Sequence, residues 1–146
     1  VSQRDRLLQI VDADLQQDCG DYLALRDLMQ ALYSFLLERD SVEIERINRQ
    51  ISRHVDNLGG RAQRRGKILA AFRLSDDGAG MQRLLESYPE VRRAVLQQFW
   101  QQLGRLAAEC QQLNERNGKL LAMHHEILEQ LLASQQPTHL YSPQAY

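Results

Sequence analysis

Two adjacent histidines followed by acids, His124-His125-Glu126 with Glu129 beyond them, come nearest in this sequence to a metal site. A zinc-binding helix of the hydrolytic kind sets its two histidines four residues apart on one face, with a third ligand further along. Counted from His125, the fourth residue on is Glu129 and not a histidine. Neighbours on a helix also point about 100° apart, so His124 and His125 do not converge on one ion. The plainer assignment makes His124 part of an apolar seam and His125 its solvated neighbour. Gly78-Ala79-Gly80 offers a second kind of chemistry, a loop that cradles phosphate. The dinucleotide fingerprint wants a third glycine where Arg83 stands, and no strand pattern precedes it. Arg61, Arg64, Arg65 and Lys67 form a basic cluster. Without interleaved aromatic residues it reads as an ion-pairing face rather than a nucleic-acid surface. No nucleophile, base and orienting group fall into a defensible arrangement. No metal, cofactor or catalytic residue is therefore expected.

What must position these residues is helical. From Leu96 the apolar residues step by three and four without a slip: Leu96, Phe99, Leu103, Leu106, Cys110, Leu113, then the polar Asn117, Leu120, His124, Ile127 and Leu131. This is a heptad seam, and a second column beside it holds Trp100, Ala107, Leu121 and Leu128. A stripe of that width suits a bundle better than a two-stranded coiled coil. Asn117 in a core slot is a register-setting residue. One helix is expected over 89–134, beginning at Pro89, whose fixed φ suits a first turn.

The earlier chain repeats the pattern. Ser2 and Asp5 form a cap for a helix whose seam reads Leu8, Val11, Leu15, Asp18, Tyr22, Leu25, Met29, Leu32 and Leu36. Its single glycine, Gly20, costs about 1 kcal/mol, too little to force a break. A second start signal, Asp40 with Glu43, opens a helix carrying Ile44, Ile47, Ile51, Val55 and Leu58, expected to reach about Arg73 across Gly59-Gly60. Residues 1–40 hold 4 Arg/Lys against 8 Asp/Glu, and residues 41–73 hold 8 against 3. That asymmetry predicts an antiparallel hairpin with complementary flanks. Residues 75–80 read as a loop, and 81–87 as two short turns. The fold class expected is all-α: an elongated antiparallel bundle of long helices with coiled-coil-like seams over 1–134, and a flexible C-terminal tail over 135–146.

Composition agrees. The hydrophobic fraction is 43%, the aromatic fraction only 6%, and the net charge is −1, so no global attraction to nucleic acid or anionic membrane arises. No apolar run is long enough to cross a bilayer, and no secretory leader is visible, which points to a cytoplasmic protein with no membrane insertion. Cys19 and Cys110 lie at or beside core slots and read as buried thiols. The surplus apolar surface lies on the last helix, where Leu120, Leu121, Met123, Ile127, Leu128, Leu131 and Leu132 exceed what one narrow seam requires; the expected binding face is Leu120, Leu121, His124, Ile127, Leu128, Leu131 and Leu132. An uncovered helical face of this kind binds another helix. A fully covered bundle core is the alternative.

The stretch Leu113-Asn114-Glu115-Arg116-Asn117-Gly118 and the tail step Leu140-Tyr141-Ser142-Pro143 together resemble the FlgN family of flagellar type III export chaperones. The resemblance implies a small all-helical protein that binds C-terminal helical segments of the hook–filament junction proteins FlgK and FlgL. It implies further that the protein keeps them from premature assembly and hands them to the export gate protein FlhA, with Tyr141 docking on the gate. Tyr141 folding back to shield the open groove is the competing use of the tail. A coiled-coil adaptor that homo-oligomerises through its last helix is the competing use of the whole chain.

Overall fold

The computed structural model describes residues 2–135; Tyr141 and the other residues after Gln135, and the side chain of Leu128, lie outside the described residues. Four helices follow one another: α1 (Gln3–Glu38), α2 (Ser41–Ala71), α3 (Gly78–Leu85) and α4 (Glu90–Gln135). Among the described residues there is no strand. The capping signals act as read. Ser2 Oγ accepts from the Asp5 N–H at 3.1 Å, and Asp40 Oδ1 from the Glu43 N–H at 3.2 Å. Neither Gly20 nor Gly59-Gly60 interrupts its helix.

The short helix begins earlier than the sequence suggests. Asp77 Oδ1 accepts the Gly80 N–H at 2.8 Å and the Ser75 hydroxyl at 2.7 Å, so Asp77 is an N-cap and residues 78–80 are helical. Gly80 is required there, because a Cβ would stand 1.8 Å from the Ser75 carbonyl oxygen. α2 stops at Ala71, two residues short of the expected end, with Arg73 in the left-handed region at φ 59°.

The long helices alternate in direction. Asp14, Asp18 and Asp21 meet Arg64, Arg61 and His54, numbers running oppositely, so α2 is antiparallel to α1. Asp12, Cys19 and Met29 meet Arg92, Phe99 and Asn117, numbers rising together, so α4 runs parallel to α1. α1 is the spine against which both others pack. Its seam residues Leu8, Val11, Leu15, Leu25, Met29, Leu32 and Leu36 are all buried. They join three stacked apolar clusters. The first, closed by α3, holds Leu15, Leu69, Met81, Leu84, Leu85 and Leu96; the second, Leu25, Leu58 and Cys110; the third, Leu36, Ile47 and Leu120.

Charge fixes what apolar packing leaves free. Asp18 is 1% exposed and accepts from Arg61 Nε at 2.5 Å and Arg65 Nη1 at 2.8 Å. Arg61 also reaches Asp21, which faces His54 Nδ1 at 2.6 Å, while Arg64 grips Asp14 through both guanidinium branches. The acidic and basic flanks are thus one ladder along the α1–α2 interface, and three of the four basic residues of the cluster, Arg61, Arg64 and Arg65, pair within the fold, while Lys67 is exposed. On the other side Arg92 forks onto Asp12 and holds its carboxyl below the ordinary range, despite the opposing cost of burial. The Tyr88 hydroxyl donates to Leu8 O at 2.6 Å, and Asn117 Nδ2 donates to Met29 O at 2.9 Å. Asn117 therefore pins the sliding register of α4 on α1. Both cysteines are free and buried, and burial pushes their thiols up.

Candidate helix-binding surface

The three long helices are unequal. α1 ends nine residues after Met29, whereas α4 continues eighteen residues past Asn117, which contacts Met29. The chain turns back into α2 at the level where α1 stops. The last stretch of α4, roughly nine residues or about 14 Å at 1.5 Å per residue, therefore extends beyond the end of α1.

Burial follows this geometry. Leu120 was expected on the open face, but it is only 9% exposed and packs with Leu32, Leu36 and Ile47. It is the last core residue of the seam, because α1 still reaches its level. Leu121, one residue on and about 100° round the helix, faces off the seam and is 57% exposed. Met123, Leu131 and Leu132 are each more than half exposed and Ile127 is 39% exposed. At about 100° per residue these five side chains span roughly half of the helix circumference, from Met123 through Ile127 and Leu131 to Leu121 and Leu132. In contrast, the same seam further back, at Leu96, Leu103, Leu106 and Cys110, is buried.

His124 is half-buried and turned toward the α1–α2 turn. There it lines a cleft of about 290 Å³ with Leu36, Arg39, Ser41, Ile44, Leu121 and His125. His125 is exposed, and its Nε2 lies 3.0 Å from Glu129 Oε1 in an ordinary i, i+4 pair. Among the described residues no group of His, Cys, Asp and Glu is arranged to hold a metal ion. No described helix is long and apolar enough to cross a membrane.

The sequence reading left two parts of this surface unassigned. Met123 counted there as surplus apolar surface, but it falls outside both apolar columns and was not placed on the binding face. The cleft residues Leu36 and Ile44 were visible only as seam residues of α1 and α2. Their exposure to a common cleft follows from the register of three helices, which periodicity within each helix does not carry. What the site can do chemically is limited to apolar burial with a few polar contacts at its edge. An apolar face of this width on a helix is complementary in chemistry to the apolar side of an amphipathic helix.

Comparison with known proteins adds one match. No curated protein and no solved structure matches this chain. A family model described as FlgN protein matches residues 7–146, which takes in α1 after its first turn, the other three helices and the segment after them. By that match the chain belongs to the FlgN family, the flagellar export chaperones.

Proposed function

We propose that this protein is a cytosolic chaperone that binds the C-terminal helical segments of the hook–filament junction proteins FlgK and FlgL, keeps them from assembling early and delivers them to the export gate protein FlhA. The observation that carries the reading is the exposed half-circumference at the end of α4, where Ile127 and Leu132 lie beyond the end of α1 and Leu121 lies beside its last turns. An apolar residue already half-buried gains roughly 1 kcal/mol on complete burial. Five such residues supply about 5 kcal/mol gross, from which the cost of association is subtracted. That favours reversible capture, which suits a protein that must release its client. His124, Leu131 and the neighbouring Leu128 complete the face. Tyr141, outside the described residues, is the proposed contact with the gate.

The reading is tested by calorimetric titration of the junction-protein C-terminal segments into the wild type and into Leu121→Asp with Leu132→Asp. The double variant puts two carboxylates into the contact and leaves the core untouched, so it stays helical by circular dichroism. Binding weakened at least a hundredfold is expected, about 3 kcal/mol. Undiminished binding by a folded double variant would refute the face. A stable homodimer that the same two substitutions dissolve would instead establish the adaptor.

A further inference from the structure

The corner where α4 leaves the bundle holds a cation, Arg39, with no counter-ion among the described residues. Arg39, the C-cap of α1, sits in the left-handed region at φ 57°, which a Cβ disfavours and glycine adopts freely. Its guanidinium makes no ion pair among the described residues, whereas Arg61, Arg64 and Arg65 of α2 are all engaged. The cleft beside it has apolar walls in Leu36, Ile44 and Leu121, with His124 alongside, and no carboxylate lines it. The nearby acids are occupied or turned elsewhere. Asp40 caps α2, Glu43 pairs with Arg46, and Glu129 pairs with His125. Glu38, on the last turn of α1, is exposed and does not line the cleft. An apolar cleft with an unpaired cation at its rim complements a ligand that is apolar with an acid beside it.

We infer that this corner seats one end of the client helix: an apolar side chain fills the cleft, and an acidic side chain one turn away pairs with Arg39. The inference rests on the chaperone reading above and adds the polarity and chemistry of the partner. Along α4 the client lies on Leu132, Leu131 and Ile127; at the corner it meets the turn between α1 and α2. Arg39 thereby selects among amphipathic helices that the apolar stripe alone would accept equally.

The test uses fluorescently labelled C-terminal segments of the cognate junction proteins as probes. They are titrated into the wild type, Arg39→Gly, Arg39→Glu and Leu132→Asp at low and high salt. Glycine relieves the left-handed backbone, so Arg39→Gly is expected to melt no lower than the wild type. It is expected to bind about tenfold more weakly at low salt, with a smaller deficit at high salt. Arg39→Glu is expected to bind more weakly still, and lysine in place of one acidic residue of the probe should restore it. Wild-type binding by Arg39→Gly beside lost binding by Leu132→Asp would overturn the corner and leave the apolar face standing. Failure of every acid-to-lysine probe to rescue Arg39→Glu would overturn the pairing. Wild-type binding by both Arg39→Gly and Leu132→Asp would remove the chaperone face itself.

Discussion

Replacing Asp18 by alanine should be the most damaging single change on the α1–α2 interface. Its carboxylate is 1% exposed and is held by Arg61 Nε at 2.5 Å and Arg65 Nη1 at 2.8 Å. The two guanidinium side chains are themselves only 11% and 14% exposed. Arg61 keeps Asp21 after the change, but Arg65 is left with the face of Trp100, 5.6 Å away. Two charge-assisted bonds contribute about 1.5–3 kcal/mol each, and part is recovered when Arg65 swings toward water. The net loss should be about 3–5 kcal/mol, the range for breaking a buried pair on one side. That is a large share of the roughly 5–15 kcal/mol that a domain possesses. Urea unfolding followed by far-ultraviolet circular dichroism gives the value. Trp100 fluorescence reports the same transition, because Arg65 stands over its ring. Asp18→Asn, which keeps the shape and one acceptor, should lose less. A loss below about 1 kcal/mol for Asp18→Ala would show that the ladder behaves as a surface network and does not hold α2 to α1.

Leu120→Ala should cost roughly 2–4 kcal/mol in urea unfolding, as a core truncation, whereas Leu132→Ala should stay within about 0.5 kcal/mol. Gly80→Ala should destabilise, because the new Cβ meets the Ser75 carbonyl; Gly59→Ala, with open space around it in a helix interior, should stabilise by up to about 1 kcal/mol. Thermal midpoints of the two glycine variants should therefore move in opposite directions. Arg92 lowers the carboxyl of Asp12 below its ordinary value of 3.8. Its contribution to stability should be complete above that value and disappear as pH falls through the lower, folded-state value. Asp12→Asn should remove this part of the acid-side slope in unfolding measured against pH.

Much of the frame is legible in the sequence because it is local. The α1 seam from Leu8 to Leu36 shows as a period, the Ser2 and Asp40 caps show as residue types, and the charge asymmetry between residues 1–40 and 41–73 foreshadows the Asp14, Asp18, Arg61 and Arg64 pairs. Asp77 was also there to be read, but Gly78 and Gly80 beside it argue for a loop unless the crowding of Gly80 against Ser75 is known. The site divides along the same line. That α4 has spare apolar surface follows from its length and its stripe. Where the cover ends is a question of register between α1 and α4, set by contacts such as Asn117 with Met29. For that reason Leu120 belongs to the core and Ile127, one heptad later on the same face, to the surface, whereas Leu121 is exposed because it lies about 100° round the helix from that seam. Arg39 carries no sequence signal at all; its place at the cleft depends on where α1, α2 and α4 meet.

Backbone hydrogen exchange of the full chain, alone and saturated with a junction-protein C-terminal segment, tests the central claim most directly. Without the client, the end of α4 has no packed neighbour in α1 and its amides should exchange fastest among the helices. With it, protection should rise over residues 121–135 and around the 36–44 turn, and the α1–α2 ladder should be unchanged. Protection that appears instead along the outer faces of α1 and α2, with the end of α4 exchanging as before, would contradict the assignment of that end as the client surface.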